Sequence, residues 1–204
     1  MIIKKFGLLF VSLLLTLSAV AAEQGEALYG SCVACHGADG AGNVALNAPA
    51  LTGQDAAYLQ RQLNNFRNGW RGSDPADTYG MQMRGMAATL ASDQAVVAVS
   101  AYIAALPALD SGESLEFNQR NGENLYNGAC GACHGGQAQG NTSLHTPRLA
   151  GLDAAYLKRQ YQNFANGLRG THPEDRYGRQ MKMMSTMLGS DKDLNEVIGF
   201  ILSQ

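Results

Sequence analysis

Apolar residues recur at Tyr58, Leu59, Leu63 and Phe66, a one-sided stripe of helical period that follows Asp55, a residue type suited to an N-cap. A second apolar helical stretch, DQAVVAVSAYIAAL, begins after Ser92 and stops at Pro107. The runs GEALYGSCVACH and GENLYNGACGACH place small and apolar residues at helical spacing, and glycine-rich loops join the segments. No segment alternates with the period of a strand, so the pattern predicts an all-α chain. One apolar run is different in kind. Phe6 to Val20 follows Lys4 and Lys5 and ends at small residues around Ala21 and Ala22. This predicts a cleavable secretory signal peptide over 1–22, too short for a span of about 20 residues.

The pattern is also duplicated. Shifted by 98 residues, the chain lies on itself: PALTGQDAAYLQRQLNNFRNGWRG falls on PRLAGLDAAYLKRQYQNFANGLRG, and YGMQMRGMAATL on YGRQMKMMSTML. Tyr29 matches Tyr126 at a shift of 97, so the second copy carries one extra residue before its first cysteine. The predicted units are 23–107 and 116–204, with a polar linker over 108–115. Each unit is small for a self-sufficient core, which points to a cofactor or other staple.

Charge narrows the partners. The whole sequence has a net charge of -2, and removal of Lys4 and Lys5 with the signal leaves -4. No basic block suggests nucleic acid. Export would place the chain in the periplasm, an oxidising compartment.

All four cysteines and two of the four histidines fall in two runs, SCVACHG and ACGACHG. A disulfide would leave the adjoining histidine unexplained. A thioredoxin-like pair needs a strand–helix context, and zinc needs a fourth ligand. Covalent haem uses every residue of Cys-x-x-Cys-His: two thiols for the two vinyl groups and a histidine for the iron. Two covalently bound haem c groups are expected, on Cys32, Cys35 and His36 and on Cys130, Cys133 and His134.

The sixth iron position decides between carrier and catalyst. His145 aligns with Asn47 and His172 with Asp74, so neither recurs, and both are expected at the surface or in loops. Methionine is the other usual ligand, and only Met83 with Met181 and Met86 with Met184 recur. Met86 begins the apolar run MAATL and is expected in the core, whereas Met83 is expected in the preceding glycine-punctuated loop. That favours Met83 and Met181, with Met86 and Met184 as the alternative.

With these motifs, the APALTG and TPRLAG loops, the QM segments and the closing AYIAAL and GFILSQ helices, the mature chain resembles the class I c-type cytochromes, specifically the dihaem cytochrome c4 family. The resemblance implies two tandem class I cytochrome c domains that face each other across a pseudo-twofold interface. It implies His36 and His134 as proximal ligands and Met83 and Met181 as distal ligands. The Pro49 and Pro147 carbonyls would orient the histidines. Gly25 with Tyr29, and Gly122 with Tyr126, resemble positions where the first helix packs on the last, near Tyr102 and Phe200. Arg61, Arg71, Arg159 and Arg169 are candidates for haem propionates, against the alternative of solvated loop residues. The implied function is a soluble, monomeric electron carrier rather than an enzyme. It would accept electrons from a quinol-oxidising complex or a dehydrogenase and deliver them to a terminal oxidase, in transient contact with membrane complexes. The alternatives are a dedicated electron-transfer subunit of a periplasmic dehydrogenase and a dihaem peroxidase-type enzyme.

Overall fold

The computed structural model describes residues 23–204, so the expected signal peptide lies outside the described residues. The first copy runs through α1 (23–29), α2 (Val33–His36), α3 (Ala56–Arg67), α4 (Thr78–Ala87) and α5 (Asp93–Ala105). The second runs through α6 (Gln119–Tyr126), α7 (Ala132–His134), α8 (Ala154–Ala165), α9 (Arg176–Met184) and α10 (Asp191–Leu202). Among the described residues the only β features are two isolated bridges, Asn43–Ala48 and Asn141–Thr146. No helix among them is long and apolar enough to cross a membrane.

The helix starts are fixed by side chains. Asp55 and Asp153 accept from the amides of Tyr58 and Tyr156, and Ser92 and Ser190 from those of Ala95 and Asp193. Each such cap is worth about 1 kcal/mol. Asp77 and Asp175 do the same for α4 and α9 while buried.

Each copy has its own core. In the first, Leu59, Leu63 and Phe66 of α3 meet Val96, Val99 and Ile103 of α5. In the second, Leu157 of α8 joins Leu194, Val197, Ile198 and Ile201 of α10. The first helix crosses the last at a glycine in both copies. A Cβ on Gly25 would stand 2.5 Å from the Ala98 carbonyl oxygen, and one on Gly122 would stand 2.6 Å from that of Glu196. Tyr29 then packs on Tyr102, and Tyr126 on Phe200, with ring centroids 5.4 and 4.8 Å apart.

The extra residue of the second copy is absorbed at one place. Asn127–Gly131 forms a π-helical turn between α6 and α7, where the first copy has only turns. A π-turn accommodates a single inserted residue without ending the helix. The motif beyond it keeps its geometry: the Tyr29 hydroxyl donates to the Gly37 carbonyl, and the Tyr126 hydroxyl to the Gly135 carbonyl, both at 2.7 Å.

Candidate functional site

The short helices α2 and α7 carry the cysteine pairs. All four thiols are free; Cys32 and Cys130 are half-buried, and Cys35 and Cys133 are exposed. Burial raises the pKa of the Cys32 thiol, and it pushes Cys130 up to about 11. His36 and His134, one residue further on, are buried.

The histidine rings are held from behind. His36 Nδ1 lies 2.9 Å from the Pro49 carbonyl oxygen, and His134 Nδ1 lies 3.0 Å from that of Pro147. A carbonyl only accepts, so each Nδ1 carries the proton and each Nε2 keeps a free lone pair. Desolvation lowers both imidazole pKa values, against the opposing effect of the proline carbonyls, so the neutral form is favoured. The proline loops come this close because Gly42 and Gly140 have positive φ of 86° and 81°. A Cβ there would lie 2.6 Å from the Pro49 carbonyl carbon, or 2.8 Å from that of Pro147.

One continuous cavity, mostly apolar, joins the two copies. His36, Met83 and Met86 line it from the first copy, and His134, Met181 and Met184 from the second. Both methionine pairs lie on helices, within α4 and α9, so the expected loop around Met83 does not exist. The glycines that suggested it, Gly80 and Gly85, are tolerated inside α4 because Asp77 caps the helix through the Gly80 amide. Nor does Met86 enter the core: it lies one residue from the end of α4 and is 41% exposed. Met83 instead packs against the core and is half-buried, as is Met181.

A reciprocal polar cluster joins the two copies. Arg71 donates to Gln62 at 2.8 Å, to Gln160 at 3.1 Å and to the Tyr156 hydroxyl at 3.2 Å. Arg169 donates to Gln160 at 2.7 Å and to Gln62 at 2.8 Å. Arg61 reaches the His145 carbonyl at 2.7 Å, and its counterpart Arg159 reaches the Asn47 carbonyl and side chain at 2.9 Å. Arg71 and Arg169 are buried, so the solvated alternative fails for them. Burial, with Arg71 nearby, lowers the pKa of Arg169. Desolvation acts to raise the pKa of the half-buried Tyr156, but the field of Arg71 and Arg169 outweighs it and lowers that pKa. Sequence reasoning missed Gln62, Gln160, Tyr58 and Tyr156, although all four recur at the 98-residue shift. His145 and His172 lie in loops, as expected, and His145 is exposed. The His172 ring also stacks on Trp70 of the first copy at 5.4 Å, and the His145 ring meets Tyr177 of its own copy, over which the Arg61 guanidinium of the first copy lies.

These residues fit covalent haem. Each copy offers two unpaired thiols, a histidine with free Nε2 and a half-buried thioether, all lining the cavity. The Nε atoms of Arg61, Arg71, Arg159 and Arg169 are all buried without a partner. Among the described residues the sole ion pair is Arg67–Asp93, so no carboxylate pairs with these guanidiniums. Buried donors and charges without acceptors are costly, and haem propionates are anions of the right kind to satisfy them.

Comparison with known proteins agrees. The sequence profile of the family described as Cytochrome c matches twice, over residues 22–107 and 119–204. The chain is 35% identical over 193 residues to a thiosulfate dehydrogenase electron acceptor of Stutzerimonas stutzeri (strain A1501), covering 85% of each protein. It is 31% identical over 208 residues to cytochrome c4 of Azotobacter vinelandii, covering 94% of this chain and 96% of that protein. The crystal structure of reduced recombinant cytochrome c4 from Pseudomonas stutzeri superposes with a TM-score of 0.70 at 30% identity, covering 89% of this chain and 97% of that one. With a cysteine–histidine motif in each matched segment, the chain carries two covalent haem c groups and belongs to the cytochrome c family, in its tandem, cytochrome c4-like form.

Proposed function

We propose that this dihaem electron-transfer cytochrome is a soluble periplasmic carrier, in which His36 and Met83 would hold one haem iron and His134 and Met181 the other. The observation that supports it is the repetition of one arrangement in both copies: a buried, neutral histidine held by a proline carbonyl, and a half-buried methionine lining the same cavity. When bound, haem supplies reversible one-electron chemistry. The chain does the rest. The cysteines would anchor it, and the Pro49 and Pro147 carbonyls hold the imidazole rings with Nε2 presented. The two methionines would close the sixth positions and leave substrate no place to bind, which favours a carrier over a peroxidase-type enzyme. The four arginines would neutralise propionates between the copies.

The expected donor is a quinol-oxidising complex or a dehydrogenase, and the expected acceptor a terminal oxidase. A second reading, as the dedicated acceptor of a dehydrogenase that oxidises a sulfur compound, is favoured by the name of the Stutzerimonas stutzeri relative. A redox titration followed by visible spectra tests the carrier reading. It should show two one-electron steps and the methionine–iron charge-transfer band. A high-spin spectrum in either copy would overturn it. Co-purification with a dehydrogenase in high salt would select the second reading.

A further inference from the structure

The two copies differ in chemistry on the outward face of the methionine helix. On α9, Arg176, Arg179 and Met183 are spaced by three and four residues and so share one face, and all three are exposed. Met183 is 67% exposed and Met187, in the turn after the helix, is 58% exposed. Met184, beside them, lines the cavity that holds His134. The patch is therefore continuous from solvent to the wall of the second haem site. In the first copy the same positions are Thr78, Met81, Gly85 and Thr89, with no charge and one exposed apolar side chain among them.

The charges on this face are not neutralised within the molecule. Neither Arg176 nor Arg179 is in an ion pair among the described residues. Of the two acids that precede them, Asp175 is buried and caps α9, and only Glu174 is exposed. The asymmetry extends to the whole copy. Residues 116–204 hold nine Lys and Arg against eight Asp and Glu, whereas 23–107 hold four against seven. A molecule that is negative overall thus presents one positive face with an adaptable apolar centre, and such a face orients an encounter more than it tightens it.

We infer that the α9 face of the second copy, Arg176 and Arg179 around Met183, Met184 and Met187, is the docking surface for an acidic redox protein, so that electrons enter or leave through the second haem site. The inference rests on the carrier reading and adds the port and the partner's charge. Charge complementarity selects the acidic partner: a basic one would be repelled by the two arginines and would meet no matching surface there. The methionines supply apolar contact that can repack against different partners.

The test is stopped-flow electron exchange between the holoprotein and an acidic plastocyanin as probe, across a range of ionic strength. The double variant Arg176→Glu/Arg179→Glu should lower the bimolecular rate about tenfold at low salt and flatten its salt dependence. Met183→Ser/Met187→Ser should lower the rate at every salt concentration. Exchange with ferricyanide, small enough to need no docking face, should continue in both, which shows that the haems are intact. An unchanged rate in the charge variant overturns the inference. So does an equal loss on Arg84→Glu, a charge reversal on α4 of the first copy. A wild-type protein that passes no electron to either reagent overturns the carrier reading as well.

Discussion

Arg71 and Arg169 occupy equivalent positions in the two copies and share both of their glutamine acceptors, Gln62 and Gln160, across the interface. Two buried guanidiniums held by neutral acceptors are stable only with anions close by. The buried Asp77 acts on Arg71, and haem propionates would supply further anions.

Replacing one of these cations should be read out at the nearer iron. Arg71→Leu keeps the apolar stem on Phe66 but removes a positive charge. Loss of positive charge favours the oxidised iron, so the potential should fall, on the order of 50 mV for a charge at about 10 Å in a partly screened interior. Arg169→Leu should do the same to the other site. Spectroelectrochemical titration measures both, and an unchanged pair of potentials would show that the arginines do not sense the haems.

The methionines separate by ligation. Met83→Ala should remove half of the charge-transfer band and lower one potential, because a thioether favours reduced iron more than water does. Met181→Ala should affect the other half. Met86 and Met184 lie partly exposed on the same helices, so their alanine variants should cost less than the 2–5 kcal/mol of a buried methionine and leave the band whole. If Met86→Ala halves the band and Met83→Ala does not, the ligand lies one turn further along α4.

The tyrosines of α1 and α6 are structural. Tyr29→Phe and Tyr126→Phe each remove a hydroxyl that donates to the glycine carbonyl after the histidine. Each should cost about 1–2 kcal/mol in denaturant unfolding, including the stranded carbonyl, with the haem spectrum unchanged. The Tyr29 hydroxyl, raised to about 12 by burial, should not titrate below strongly alkaline pH.

Gly25→Ala tests the crossing of first and last helices. Its Cβ would press on the Ala98 carbonyl oxygen and the Tyr102 side chain, which are not free to move together. A loss of about 1–3 kcal/mol is expected, measured by thermal unfolding of the holoprotein. A variant of wild-type stability would mean that the helices cross further apart than described.

Much of this was legible because haem attachment demands a fixed residue pattern and because the chain repeats it. The motif cysteines, the histidines and the caps at Asp55 and Ser92 needed no coordinates. The methionines were harder. Gly80 and Gly85 read as loop signals, yet a buried Asp77 cap holds them in α4. Burial of Arg71 and Arg169 could not be read from one copy, since each is covered by the other's domain. The stacking of Trp70 on His172 was hidden for another reason: it joins positions that do not recur.

Reciprocity of the Arg61, Arg71, Arg159 and Arg169 contacts carries a consequence beyond haem binding. Where residue i of one half meets residue j of the other, and j meets i, the surface is isologous, as in a symmetric dimer. This chain is in that sense a homodimer tied into one polypeptide by the segment 107–118, which holds the halves at high effective concentration. Symmetry is broken where Gln54 bonds both the amide and the carbonyl of Arg148, since the counterpart positions are Leu152 and Ala50. That bond tells the halves apart, so pairing within one chain is chemically distinct from pairing two like halves of neighbouring molecules.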